Sequence, residues 1–154
     1  MRDVRLIDRP FDPGREIDAF VRSHSEAGGV ATFVGKVRPT GDVECLELSH
    51  YAPLTLPGME RLADEALGRW DLMGLLVLHR TGIVSACHPI VVVSAASRHR
   101  RAAIESVDFV MDHLKSDAWF WKREKRPDGW HWIEPREEDH RDLARWSEKS
   151  PLLK

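Results

Sequence analysis

Hydrophobic positions recur along the chain with two periods, and these predict an alternation of strands and helices. Alternating or continuous apolar runs predict strands at residues 4–7, 30–37, 43–50, 75–79, 90–95, 119–124 and 130–134. Spacings of three and four residues predict about three main helices: one after Asp12-Pro13, one from Met59 and one over residues 98–115. Because strands and helices mix without strict βαβ order, the pattern favours an α+β fold with a mixed or antiparallel sheet.

Turn-forming residues fill the gaps between these segments. Residues 39–42 predict a hairpin between the second and third strands, and residues 51–58, with two prolines and a glycine, predict a loop. Residues 1–134 are expected to form a single domain. Residues 135–154 alternate acids and bases, with few apolar positions beyond Leu143 and Trp146. They predict a charged, partly disordered tail, and a short helix or a docked Trp146 within it stays open.

Composition and charge narrow the class of protein. The 154 residues carry a net charge of −2, from 23 basic and 25 acidic side chains, so no overall field favours nucleic acid or an anionic membrane. No apolar run is long enough to span a bilayer, and we see no signal peptide. Cys45 and Cys87 form no C-x-x-C pair, and the eight histidines show no H-x-x-x-H spacing. We therefore expect a cytoplasmic protein with no metal site and no cofactor.

The third predicted helix begins in Arg98-His99-Arg100-Arg101, at the end of the helix dipole that disfavours basic side chains. Ser97 is a candidate N-cap. A bound anion would offset the repulsion, because exposed N–H groups and basic side chains would both face it. The alternative is that these side chains extend into water, at a cost of about 0.3–1 kcal/mol each.

Basic residues also stand at the ends of other predicted elements, at Lys36, Arg38, Lys115 and Lys122. Met111 lies four residues before Lys115 and shares its helix face. Lys122 lies in an aromatic strand, where neighbouring rings would desolvate its ammonium group and lower its pKa, as a residue that acts as an acid, base or nucleophile requires. Taken alone, a lysine is in most cases a surface residue whose ammonium group extends into water, so the chemical interpretation requires these basic ends to meet in space.

Several blocks of the chain, in their order, resemble the catalytic (large) subunit of molybdopterin synthase, the MoaE family. They are Phe33-Val34-Gly35-Lys36-Val37-Arg38, His50-Tyr51, His79-Arg80-Thr81-Gly82, Ser97-Arg98-His99-Arg100, Met111-Asp112-His113-Leu114-Lys115 and Phe120-Trp121-Lys122-Arg123-Glu124. The resemblance runs from about residue 4 to residue 134. It implies a hammerhead-type α+β subunit that forms a homodimer. Each end of that dimer would bind a small ubiquitin-like sulfur-carrier subunit (MoaD-like, ending in Gly-Gly), giving a heterotetramer.

The resemblance also implies a reaction and a set of residues. The carrier's C-terminal thiocarboxylate would donate sulfur to cyclic pyranopterin monophosphate (precursor Z), and two rounds would build the dithiolene of molybdopterin. Lys115 and Lys122 match the family's catalytic lysines. The implied substrate-binding residues are Lys36, Val37, Arg38, His99, Arg100, Arg123 and Glu124, and the implied pocket-lining residues are Phe33 and Met111.

Chemistry gives most of these residues an expected role. Arg38, His99 and Arg100 would hold the phosphate by charge-assisted hydrogen bonds. Lys115 would assist attack of the thiocarboxylate, by stabilising developing charge or moving a proton. Lys122 would position the acyl end of the carrier, and a transient covalent bond to Lys122 is one version of that role.

Helix length adds an expectation about assembly. At ~1.5 Å per residue, Arg100 and Lys115 of one chain lie some 20 Å apart, too far for one small substrate, so a second copy should supply one end of a composite site. The link at residues 52–57 is longer, and the turn at 39–42 shorter, than is usual in the family; both bear on the fit of the carrier. Two other classes stay open: a non-catalytic adaptor for a Gly-Gly tail, and an anion- or nucleotide-binding module. Retention of both lysines argues against the first, and near-neutral charge against the second.

Overall fold

A four-stranded mixed sheet lies at the centre of the structure, a computed structural model that describes residues 1–116 and 119–148. Its strand order is β1-β4-β6-β2, from β1 (Arg2–Ile7), β4 (Leu72–Arg80), β6 (Pro89–Ser97) and β2 (Gly29–Lys36). β1 runs parallel to β4, whereas β6 is antiparallel to both of its neighbours. The central strands β4 and β6 are almost wholly buried, as their continuous apolar runs predict.

A second, antiparallel sheet has the order β5-β3-β7-β8, from β5 (Gly82–Ser85), β3 (Cys45–His50), β7 (Phe120–Arg126) and β8 (Gly129–Ile133). The predicted hairpin of residues 30–50 is therefore wrong, because β2 pairs with β6 while β3 pairs with β5 and β7. Alternation of apolar and polar residues determines which face of a strand is buried, but it does not determine which other strand pairs with it. The short strand β5 was not predicted, because turn signals stand at both of its ends.

Four helices pack on these sheets: α1 (Pro13–Ser23), α2 (Ala52–Arg69), α3 (Arg100–Ser116) and α4 (Glu137–Glu148). The α+β class is confirmed, with one helix more than expected. α1 begins as predicted, since the carboxylate of Asp12 accepts the backbone N–H groups of Gly14 and Arg15.

α2 includes residues 52–58, so the predicted loop there is wrong. Pro53 lies in the first turn of the helix, where a backbone N–H has no partner to lose, and Pro57 removes one intrahelical bond. Contacts with the start of β7 offset that loss. Thr55 Oγ1 donates to the Trp119 carbonyl at 2.7 Å, and Gly58 packs so close to the indole that a Cβ there would lie 2.5 Å from its Nε1. Tertiary packing thus extends the helix through a stretch whose composition is typical of a loop.

The segment from residue 135 onward contains α4, which packs on α3. Trp146 is only 7% exposed and meets the rings of Trp70 and Phe109 edge to face, with centroids 5.7 and 5.4 Å away. Its indole Nε1 donates to Asp112 at 2.6 Å. Residues 137–148 therefore form a docked helix rather than a frayed tail, and residues 149–154 lie outside the described residues.

The main core lies between the first sheet and the helices α2 and α3, with Trp146 at its margin. A smaller apolar cluster under α1 covers the other face of the sheet. A third cluster, Val37, Leu48 and Val84, joins the two sheets beside the C-terminal end of α3. Within the described ranges, no helix is both long enough and apolar enough to cross a membrane.

Candidate active site

A cavity of about 340 Å³ lies where β2, β7 and the C-terminal end of α3 meet. It collects most of the basic ends that the sequence analysis singled out. Of the residues predicted for the site, those that line it are Phe33, Lys36, Arg38, Met111, Lys115 and Lys122. Four of the basic ends therefore meet in space at the C-terminal end of α3, as the chemical interpretation requires.

The break between β2 and the following segment aims Lys36 and Arg38 at this cavity. The β2–β6 register shifts between Gly35 and Lys36. Val37 is then held by two backbone bonds, its N–H donating to the carbonyl of His88 at 2.9 Å and its carbonyl accepting the N–H of Cys87 at 2.8 Å. The Val37 side chain is buried in the cluster between the sheets. Because side chains alternate along an extended segment, burial of Val37 leaves its two basic neighbours on the cavity side.

Lys115 and Lys122 approach the cavity from different elements. Lys115 lies in the last turn of α3, one turn after Met111, where the negative end of the helix dipole favours a cation. Lys122 lies on β7, and burial lowers its pKa, with repulsion from Lys115 adding to the effect. The carboxylate of Asp139 acts in the opposite direction. Two cationic groups that share a partly desolvated cavity suit either the binding of an anion or the transfer of a proton.

His79 of β4 also lines this cavity and stays uncharged. Burial lowers the pKa of His79 to about 3, and Lys122 adds a smaller repulsion. Nδ1 lies 2.8 Å from the Arg80 carbonyl, which can only accept, so Nδ1 carries the hydrogen and Nε2 is the free acceptor. The ring stacks on Phe120 with centroids 4.2 Å apart. His79 therefore offers the cavity a neutral acceptor of fixed orientation.

A second cavity of about 200 Å³ lies on the other side of the two lysines. Lys115 and Lys122 line it as well, together with Phe120, Ile133 and the segment that leads into α4. That segment and the first turn of α4 contribute Glu134, Arg136 and Asp139. The two lysines thus separate a cavity whose charged lining is basic from one that also contains carboxylates.

His99 and Arg100 lie elsewhere, in a groove of about 500 Å³ that they form with Gly28, Arg98 and Arg101. This groove is at the N-terminal end of α3, so one chain does not bring these two residues to the lysines. The predicted N-cap is wrong: Ser97 is buried at the end of β6, and its hydroxyl donates to the carbonyl of His99. That bond tightens the bend between β6 and α3.

Arg123 and Glu124 are on β7 but do not line the lysine cavities. Arg123 Nε lies 2.7 Å from Glu47 Oε1, and its guanidinium is 4.3 Å from the centroid of the Trp130 ring. Glu124 pairs with Arg126. The predicted roles of Arg123 and Glu124 in substrate binding, like that of Val37, stay predictions.

His79, Glu134, Arg136 and Asp139 were not predicted as site residues. His79 was within reach of sequence reasoning, because it belongs to a quoted block and ends a buried strand with a polar side chain. The other three were not, since they belong to the segment interpreted as a tail.

Comparison with known proteins identifies the family of the chain. The family model described as MoaE protein matches residues 6–117. The molybdopterin synthase catalytic subunit of Caulobacter vibrioides is 40% identical over 148 residues, covering 96% of this chain and 99% of the relative. The chain therefore belongs to the MoaE family.

Solved structures give the same assignment. The molybdopterin biosynthesis MoaE protein from Burkholderia ambifaria MC40-6 superposes with a TM-score of 0.81 at 38% identity, over 96% of this chain and 99% of that one. A chain from Helicobacter pylori 26695, described in a protein–protein complex of subunits 1 and 2 of molybdopterin-converting factor, has a TM-score of 0.73. It is 20% identical and covers 87% of this chain and 90% of its own, and this likeness shows the fold alone.

Proposed function

We propose that this chain is the catalytic subunit of a molybdopterin synthase, a sulfurtransferase that converts cyclic pyranopterin monophosphate into molybdopterin. The observation that carries the proposal is the meeting of Lys115 and Lys122 in one cavity with Lys36 and Arg38. The names of the full-length relatives support it. The sulfur donor is the C-terminal thiocarboxylate of a small ubiquitin-like carrier. Its sulfur bonds to a pterin side-chain carbon as an oxygen substituent leaves that carbon, which gives a thioester between carrier and pterin, and water then cleaves the acyl carbon–sulfur bond and releases the carrier as a carboxylate.

The lysines have separate roles in this proposal. Lys115 stabilises the charge that develops as the thiocarboxylate attacks, or moves a proton to the departing oxygen. Lys122 holds the acyl end of the carrier, and its lowered pKa makes the neutral amine, the form able to bond covalently, more accessible. Arg38 and Lys36 bind the phosphate. Phe33 and Met111 supply the apolar wall of the cavity.

The active assembly is a homodimer of this chain with one carrier on each end. Its support is the separation between the groove at His99 and Arg100 and the cavity at Lys115, which lie at opposite ends of a 17-residue helix. In the composite site, His99 and Arg100 come from one copy and the two lysines from the other. We assign Arg123 and Glu124 to substrate binding as well, on the β7 strand that carries Lys122, and the Arg123–Glu47 ion pair joins that strand to β3. We place the reaction in the cytoplasm.

A reconstituted assay tests the lysines. The chain is mixed with a thiocarboxylated carrier and the pterin substrate, and the dithiolene product is measured. Lys115→Ala and Lys122→Ala should each lower the rate by on the order of 10²–10³, as loss of a group that stabilises transition-state charge does. Lys125→Ala, an exposed lysine of the same strand, is the matched control and should keep the parent rate. Near-parent transfer by Lys115→Ala would remove Lys115 from the reaction.

Two further measurements separate the alternative functions. Mass spectrometry of trapped reactions detects a carrier–Lys122 adduct if the covalent version holds, and its absence limits Lys122 to positioning. Capture of a small protein that ends in Gly-Gly, compared with capture of single-stranded nucleic acid at physiological salt, distinguishes a carrier partner from a nucleotide-binding module. Binding of the carrier with no sulfur transfer would leave the chain as an adaptor.

A further inference from the structure

Asp139 of α4 lies beside both lysines of the candidate active site. It lines the 200 Å³ cavity with Lys115 and Lys122, and its side chain is only 13% exposed. Burial of a carboxylate to this degree is costly unless cations and hydrogen-bond donors face it. The charged side chains that share this cavity are Lys115 of α3, Lys122 of β7, and Arg136, Glu134 and Asp139 itself at the start of α4; the neutral His79 faces Lys122 from β4.

Local contacts hold this carboxylate in place. Its Oδ2 accepts the backbone N–H of Arg136 at 3.0 Å and lies 3.8 Å from the guanidinium Nε of the same residue. The Asp139 carbonyl accepts the hydroxyl of Ser116 at 3.0 Å. Ser116 directly follows Lys115, so this bond ties the first turn of α4 to the part of α3 that carries the lysine. The backbone that carries Asp139 is therefore fixed to the end of α3, and its carboxylate keeps its place in the cavity that it shares with the two lysines.

We propose that Asp139 is a positioning residue of the active site, whose carboxylate balances the two lysines and keeps Lys122 charged while the site is empty. Lys122 loses solvation by burial and is repelled by Lys115, and both effects favour its neutral form. Asp139 is the one carboxylate of the described residues found to favour the charged form of Lys122. The inference rests on the proposed function for its role in the reaction, but its electrostatic part can be measured without that reaction.

The direct test is an NMR titration of Lys122. Reductive methylation with ¹³C-formaldehyde labels the six lysines of the full chain, and Lys122→Arg identifies the Lys122 signal by its loss. Asp139→Asn keeps an oxygen that can accept the Arg136 N–H but removes the charge, so the Lys122 midpoint should move to lower pH. Asp139→Glu should restore the parent midpoint. Glu137→Gln, the same charge change on an exposed residue in the same helical turn, should leave the midpoint in place.

A second variant keeps the inference falsifiable if Asp139→Asn does not fold. Ser116→Ala removes the hydroxyl that holds the Asp139 carbonyl and leaves every charge in place, and it should shift the Lys122 midpoint in the same direction by a smaller amount. An unchanged midpoint in the folded variant, or an equal shift in Glu137→Gln, would overturn the proposal.

The activity assay then separates the two proposals. With Asp139→Asn, the pH profile of sulfur transfer should move toward acid and the rate at neutral pH should change several-fold, whereas a merely structural loss would lower the rate at every pH. If the parent chain transfers no sulfur while the Lys122 midpoint still responds to Asp139, the proposed function fails and the electrostatic assignment stands. If transfer occurs but neither its pH profile nor the Lys122 midpoint responds to Asp139→Asn, the proposed function stands and the inference about Asp139 fails.

Discussion

The docking of α4 gives the sharpest quantitative prediction of the structure. Trp146→Ala removes an indole that packs edge to face on Trp70 and Phe109 and donates to Asp112. Truncation of a buried Trp to Ala costs about 3–5 kcal/mol. Asp112 keeps its second partner, Arg145 Nη2 at 2.7 Å, so its carboxylate is not left unpaired and no large extra penalty applies.

The loss should fall near the lower limit, about 3 kcal/mol, because α4 can undock locally while the sheets stay folded. For a chain of this size that corresponds to a fall in Tm of roughly 6–12 °C. Thermal unfolding measures the shift, and amide hydrogen exchange locates it. We expect faster exchange across residues 137–148 by local undocking, and faster exchange in β4 and β6 only by the amount that the fall in global stability requires.

Trp132→Ala is the matched control. It makes the same truncation at a side chain that is 67% exposed on the second sheet, so the expected loss is within about 0.5 kcal/mol. Equal Tm shifts in the two variants, or unchanged exchange in α4 of Trp146→Ala, would refute the packing argument.

Two further predictions concern acid stability and the bend before α3. Between pH 6.5 and about 3, the unfolded chain binds a proton at His79 that the folded protein does not. The free energy of unfolding should therefore fall on acidification by up to about 1.4 kcal/mol per pH unit. In denaturant titrations, the free energy of unfolding of His79→Asn should depend less on pH over this range. Gly28→Ala would place a Cβ 2.1 Å from the Arg98 carbonyl and should lower Tm, whereas Gly68→Ala, with open space in α2, should raise stability by about 0.5–1 kcal/mol. If the two glycine variants shift Tm in the same direction, the close packing of Gly28 against the Arg98 carbonyl is contradicted.

Local signals in the sequence were sufficient for most elements of the fold. Apolar runs located β4 and β6, and Asp12-Pro13 located the start of α1, because a continuous apolar run and a capping residue are both visible within a few neighbouring positions of the sequence. Strand partners were not predictable in the same way. The turn at residues 39–42 looks like a hairpin, yet β2 and β3 join different sheets, and only long-range packing decides that.

The same distinction between local signals and long-range packing applies to the active site. Basic residues at the ends of elements were visible as a pattern, and the structure brings four of them to one cavity. Asp139 was hidden because its segment is polar and rich in both charges, a composition typical of a frayed tail. The signal that could have found it is Trp146, since a single tryptophan in such a segment can bury enough apolar area to dock a short helix.

The distribution of charge around the lysines also predicts that an anionic ligand group enters the 340 Å³ cavity. Among the described residues that line the 340 Å³ cavity there is no carboxylate, while Lys36, Arg38, Lys115 and Lys122 all face it. The overall charge of −2 offers an anion no attraction, so its binding has to depend on this local set. We therefore expect inorganic phosphate to compete with the proposed pterin substrate here, and Arg38→Ala to weaken that competition about tenfold, the effect of one charge-assisted hydrogen bond. Lys125→Ala, which removes one positive charge outside the cavity, should leave the inhibition constant unchanged. If both variants weaken phosphate equally, the attraction comes from total charge and the cavity assignment fails.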